Sequence, residues 1–192
     1  VFVDCKHITI KNVIINHRTG TSATSSTNHS ILFSTQYRTA DPIGTFFPDS
    51  GLVENCVINN QSLSGLGRGV GINAGTAPAD SNQGSNGIII RNNIISANER
   101  GIYVTWAASA DIYGNTIRVH QSGTREVTGI YVEKTAGTAT RSINIYNNSI
   151  DTVTLSNATS LSGIQGVYVG PKVTGPINVY NNMISGFASP VS

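Results

Sequence analysis

The chain has 192 residues, a formal charge of +2 and only 11% charged side chains, against a globular average of about a quarter. That length admits one domain with a sizeable core. The small net charge, with no Lys/Arg cluster, argues against a nucleic-acid face, and no apolar run approaches the roughly 18 residues of a membrane-spanning helix. Gly, Ser, Thr and Asn fill the polar positions; they stabilise bends and disfavour helices, so the composition predicts many strands and turns.

In chain order, a short apolar opening, Val1-Phe2-Val3, leads into Ile8-Thr9-Ile10-Lys11-Asn12-Val13-Ile14-Ile15. This eight-residue phrase returns at 51–58, 88–95, 110–117, 143–150 and 177–184, most plainly as Ile143-Asn144-Ile145-Tyr146-Asn147-Asn148-Ser149-Ile150. Such self-similarity marks a repeat architecture. Apolar and polar residues alternate before the Asn, the period of a strand. Ile143 and Ile145 are therefore expected to face inward, with Asn144 and Tyr146 outward. The Asn then permits a sharp bend, because Asn tolerates the left-handed region, and Gly114 takes its place in the fourth copy. A short second strand follows, whose inward residues form the series Ile15, Ile58, Ile95, Ile117, Ile150 and Ile184.

A second phrase interleaves with the first. Gly101-Ile102-Tyr103-Val104 recurs at 129–132 and 166–169, with looser forms at 69–72, 30–33 and 1–3. Each period thus reads strand, loop, strand, tight Asn bend, short strand, loop. Spacing between first strands runs from 28 residues (Ile102 to Ile130) to 39 (Ile31 to Val70), so loops absorb the variation. The long ones are expected at 34–50, 73–87, 17–30 and 151–165. Strands that are apolar on one side only find a covered face if the chain winds and each strand pairs with its counterpart one period later.

The alternation of G-I-Y-V with I-x-I-x-N-N-x-I resembles the repeat of the pectate-lyase-like superfamily over nearly the whole chain. The resemblance implies an all-β, right-handed parallel β-helix (a solenoid) with three strands per coil and about six coils. It also implies an inner asparagine ladder near Asn12, Asn55, Asn92, Asn147 and Asn181. Residues 1–192 then form a single domain, expected to be a segment of a longer solenoid completed by flanking coils or capping domains. That fold hosts lyases, hydrolases, phage tailspikes and adhesins, so activity is argued from a site rather than from the fold. An extracellular, cell-surface or periplasmic setting is the corresponding expectation.

The outward row of the first strand reads Phe2, Leu32, Gly71, Tyr103, Tyr131, Tyr168. Three tyrosines about 4.8 Å apart make an aromatic strip suited to polysaccharide, whose sugars take apolar contact from rings and hydrogen bonds from hydroxyls; stacking between coils explains the same residues structurally. Trp106 is expected beside this strip, in the loop that corresponds to Glu133-Lys134. A second outward row, Lys11, Glu54, Arg91, Tyr113, Tyr146, Tyr180, begins with alternating charges, so Glu54 is expected to pair with both neighbours. A glycosidase needs carboxylates at fixed separation, and a lyase of the resembled superfamily needs calcium-binding Asp residues and a basic proton acceptor. Near the strand edges the sequence supplies Asp4, Glu99, Arg100, Glu126, Glu133 and Lys134. Glu133 and Lys134 are the best catalytic pair among them, and no second carboxylate shares their position. His7, His17, His29 and His120 are scattered, so no metal or other cofactor is called for. Cys5 and Cys56 fall at different points of the repeat and are a poor disulfide pair. The leading expectation is a non-enzymatic surface scaffold for adhesion or glycan binding. A polysaccharide lyase or glycoside hydrolase, and a phage or envelope fibre module, are the alternatives.

Overall fold

In the computed structural model, residues 2–3, 5–17, 28–34, 48–60, 67–73, 84–121, 126–135, 142–155, 163–173 and 175–188 are described. They form β-strands joined by turns, three per coil. The first coil holds β1 (Phe2–Val3), β2 (Thr9–Lys11) and β3 (Ile14–His17). The second holds β4 (Asn28–Ser34), β5 (Leu52–Glu54) and β6 (Val57–Asn60); the third holds β7 (Gly67–Asn73), β8 (Ile88–Arg91) and β9 (Ile94–Ala97). Next come β10 (Arg100–Ala107), β11 (Ala110–Tyr113) and β12 (Thr116–Gln121), then β13 (Val127–Thr135), β14 (Ile143–Tyr146) and β15 (Ser149–Leu155). The sixth coil holds β16 (Ile164–Lys172), β17 (Ile177–Tyr180) and β18 (Met183–Ile184), followed by β19 (Phe187–Ala188), which pairs with β15. Each strand hydrogen-bonds in parallel to its counterpart one coil away, giving three sheets ordered β1-β4-β7-β10-β13-β16, β2-β5-β8-β11-β14-β17 and β3-β6-β9-β12-β15-β18. The molecule is a parallel β-helix.

The register follows the repeated phrases. Ile143 and Ile145 lie opposite Ala110 and Ile112 on one side and Ile177 and Val179 on the other. Their inward columns join Val53, Ile90, Ile95, Ile117, Ile150 and Ile130 in one continuous buried core. The glycine of the G-I-Y-V phrase is a packing requirement. A Cβ at Gly101 would collide with Ile117 Cγ2 and with the carbonyl oxygen of Gly129. At Gly129, it would meet Ile150 Cγ2 and the Gly166 oxygen, each 2.7 Å away. The first sheet thus leans directly on the isoleucine column of the third.

The asparagine ladder exists, displaced by one residue from its expected place. Asn12, Asn55, Asn92, Asn147 and Asn181 have φ of 53–56°, and Gly114 has 66°; all six are exposed. They supply the left-handed turn, which sends their side chains out and the next residue in. The inner ladder is Asn93, Asn115, Asn148 and Asn182. Asn93 Nδ2 donates to Asn115 Oδ1 (2.9 Å), Asn115 Nδ2 to Asn148 Oδ1 (2.9 Å) and Asn148 Nδ2 to Asn182 Oδ1 (3.0 Å). Each Oδ1 also accepts a backbone N–H from the preceding coil, from Cys56, Asn93, Asn115 and Asn148 in turn. The second Nδ2 hydrogens of Asn93, Asn115, Asn148 and Asn182 bond the carbonyls of Val53, Ile90, Ile112 and Ile145. Cys56 occupies the same position one coil earlier, its thiol directed at the carbonyls of Ile10 (3.7 Å) and Glu54 (3.2 Å). Neither cysteine forms a disulfide.

Two further expectations are corrected. Phe2 pairs with Phe33, not with Leu32, so it is one residue out of register with the row in which it was expected. The loops are also shorter than expected, because Asn28–Ser34 and Ser149–Leu155 are strand and β16 begins at Ile164.

Asn115→Ala leaves buried donors and acceptors on two coils unpaired and is expected to cost about 2–4 kcal/mol in urea unfolding. Asn147→Gly keeps the left-handed turn and is expected within about 0.5 kcal/mol of the wild type, whereas Asn147→Val costs about 1–2 kcal/mol. Equal costs for Asn147→Gly and Asn115→Ala would contradict this division of labour.

Candidate functional site

The outer face of the first sheet carries the expected tyrosine row. Gly71, Tyr103, Tyr131 and Tyr168 are in register on β7, β10, β13 and β16. Three residues earlier in each strand runs a second row, Arg68, Arg100, Thr128 and Gln165, and β4 extends both rows with Leu32 and His29. The interval is three rather than two because the packing glycine and the apolar residue after it both turn inward. A turn of only Asn98 and Glu99 links β9 to β10. Both their N–H groups donate to the carbonyl of Gly67, which seats Glu99 beside β7.

These rows form one connected cluster. Tyr131 and Tyr168 stack at 4.6 Å between centroids, and Tyr103 tilts against Tyr131 at 5.7 Å. Strands about 4.8 Å apart force in-register rings to use their faces on one another, so a ligand meets edges and hydroxyls rather than open ring faces. Tyr103 is 7% exposed; Tyr131 and Tyr168 are partly open. Arg68 clamps Glu99 through Nε (2.7 Å) and Nη2 (3.3 Å), both side chains buried, and its guanidinium lies 4.3 Å from the Tyr103 centroid. Breaking such a buried pair by removing one partner typically costs about 3–5 kcal/mol. The Arg100 guanidinium lies 3.7 Å over Tyr131 and 4.9 Å from Tyr103. The His29 ring fills the space that Gly71 leaves without a side chain and sits 5.9 Å from Tyr103.

Burial and neighbouring charge set the protonation states. Burial, reinforced by Arg68 and Arg100, lowers the His29 pKa to about 3, so the imidazole is neutral. Burial, with the hydrogen bond that the Tyr103 hydroxyl donates to Glu133 Oε2, pushes Tyr103 up to about 12. Tyr131 is also raised, chiefly by burial, with Arg100 opposing.

Glu133 sits at a register shift of β13 and is engaged by Tyr103. Lys134 lies opposite Thr105 and Lys172; its side chain is outside the described residues, as is Asp4. Trp106 is not in a loop. It occupies an irregularity within β10, between Thr105 and Ala107, with φ of 54°, a conformation that is strained for a bulky residue. Arg68 and His29 escaped the sequence reading. Their signal was present, since each lies three residues before the outward Gly71 or Leu32, as Arg100 does before Tyr103. Among the described residues no three His, Cys, Asp or Glu side chains converge in a way that could hold a metal ion.

The row on the second sheet is architectural. Glu54 pairs with Lys11 (2.8 Å) and Arg91 (2.7 Å), and Arg91 reaches the Tyr113 hydroxyl (2.8 Å). Lys11 and then Arg91 hold the Glu54 carboxyl below the ordinary carboxylate range. Tyr113, Tyr146 and Tyr180 continue the column as near-parallel rings 4.8 and 5.1 Å apart.

Comparison with protein-family models, curated proteins and solved structures finds no match to this chain.

His29 makes the cluster sensitive to acid. An unfolded histidine binds its proton near 6.5 and the folded one only near 3. Between those values the unfolded chain holds more protons, so stability falls as pH falls, by up to about 1.4 kcal/mol per pH unit from this group. Urea midpoints taken from pH 6.5 to 4.5, above most carboxylate titration, are expected to show that slope in the wild type and a flatter one in His29→Gln. Identical slopes would contradict the assignment.

Proposed function

We propose that the protein is a non-catalytic, extracellular or cell-surface β-solenoid scaffold that binds a glycan along the outer face of its first sheet. The observation that carries this reading is the in-register row of Tyr103, Tyr131 and Tyr168 with the Arg100 guanidinium lying across Tyr131. It offers ring edges, phenolic hydroxyls and a guanidinium on a rigid sheet rather than on loops. Polar groups held at fixed axial spacing suit a repeating polymer, because each coil meets the chain with the same geometry. The coil phrase resembles that of the pectate-lyase-like superfamily, whose members commonly use this face for polysaccharide. Trp106 is assigned to the rim of the same surface, and Tyr103, nearly buried, supports Arg100 from beneath. Adhesion is the natural use of such a scaffold. For hydrolysis or elimination, Glu133 would have to act while accepting the Tyr103 hydroxyl hydrogen, which favours binding over catalysis.

Affinity electrophoresis through gels containing a panel of neutral and acidic polysaccharides tests the reading. At least one is expected to retard the wild type, with retardation reduced about tenfold or more in Tyr131→Ala and in the Tyr131→Ala/Tyr168→Ala double variant. No retardation by any glycan, or full retardation of the folded double variant, would refute it. Release of unsaturated or reducing ends from a bound glycan would replace the scaffold with an enzyme.

A further inference from the structure

Arg68, Arg91 and Arg118 each hold a carboxylate, those of Glu99, Glu54 and Asp151 respectively. Arg100 has no such partner among the described residues. Its guanidinium is spread over Tyr131 at 3.7 Å, and its Nε is shielded from water without a hydrogen-bond partner. It lies opposite Arg68 in the neighbouring strand, whose only described carboxylate, Glu99, is already engaged in a two-point clamp. The opposite neighbour is the neutral Thr128, whose hydroxyl is placed to bond Gln165 (3.2 Å) or Glu126 (3.4 Å). Of the two further carboxylates near the cluster, Glu133 is held by the Tyr103 hydroxyl and Glu126 faces the Thr128 hydroxyl, and neither forms an ion pair with Arg100 among the described residues. A buried or half-buried arginine is ordinarily paired, and a donor left open in a native structure calls for an explanation. A guanidinium fixed flat against a ring keeps its fork of N–H groups in one plane, the geometry that receives an oxyanion in two-point fashion.

We infer that Arg100, held on Tyr131 and Tyr103, is the binding site for an oxyanion substituent, a carboxylate or a sulfate, carried by the glycan. The inference rests on the proposed glycan-binding function and gives it a charge specificity. Tyr168 and Tyr131 contact the sugar chain, and Arg100 selects the charged one. No calcium bridge is needed, since the cation is supplied by the protein itself.

Matched polymers separate the inference from the reading beneath it. Retardation is measured in gels of dextran against dextran sulfate, and of polygalacturonate against its methyl ester, for the wild type, Arg100→Gln, Arg100→Lys and Arg118→Gln. The wild type is expected to bind a charged member about tenfold or more tightly than its neutral counterpart, with the difference shrinking as salt rises. A preference within the first pair identifies sulfate and within the second carboxylate. Arg100→Gln is expected to erase the preference and leave neutral binding in place. Arg100→Lys retains part of it, and Arg118→Gln, which removes the same charge elsewhere, retains all of it. Equal binding of charged and neutral members overturns the inference and leaves the glycan reading standing. So does a preference that survives in Arg100→Gln or falls equally in Arg118→Gln. Failure of every polymer to bind removes both.

Discussion

A chain that turns sharply beside its own apolar interior brings backbone N–H and carbonyl groups to places water does not reach, and those groups must be paired. Here the pairing is axial. At each Asn corner one residue adopts the left-handed conformation and points outward. From the third coil on, the next is an asparagine that turns inward and bonds the neighbouring coils: Asn115 accepts two hydrogens from Asn93 and donates one each to Ile90 and Asn148. A coil is therefore satisfied only when another of the same geometry lies directly above or below it. That requirement fixes the register of all three sheets, because a slip at the corner would strand four hydrogen bonds at once. Cys56 shows how far the rule bends: a thiol can still face the carbonyls, though as a weak donor.

The same register builds the outer surface. In-register side chains repeat at the strand spacing, so tyrosines stack, opposite charges couple and glycines open holes for neighbours. The second sheet spends this repetition on cohesion, in Lys11, Glu54, Arg91 and the rings that follow. The first sheet differs because its packing glycine advances the outward row by three residues. This sets arginines diagonally against tyrosines. Rings pressed together at 4.6 Å cannot offer their faces to a sugar. What remains for recognition is edges, hydroxyls and Arg100, and that is why charge enters the specificity of the proposed surface.

Most of the architecture was legible in the primary structure because each coil restates it. The alternation in Ile143-Asn144-Ile145-Tyr146 named the inward columns, and Gly114 in an Asn position disclosed the left-handed turn. The ladder was misplaced by one residue because two adjacent asparagines satisfy the same pattern, and Asn12-Val13 and Asn55-Cys56 keep only the first; Gly114-Asn115 alone points to the second. Phe2 was misplaced because three residues cannot fix a register. The Arg68–Glu99 pair joins side chains 31 residues apart, visible only after the coils are aligned. Trp106 was expected in a loop and lies in β10, since nothing local announces a left-handed tryptophan inside a strand.

Side-chain amide exchange tests the axial ladder most directly. In two-dimensional proton–nitrogen spectra recorded after transfer to deuterated water, the Nδ2 hydrogens of Asn93, Asn115 and Asn148 are predicted to persist long after those of Asn55, Asn92 and Asn147 have vanished. Exchange of all six at the same rapid rate, or persistence of the second group instead of the first, would contradict the ladder and with it the register of the coils.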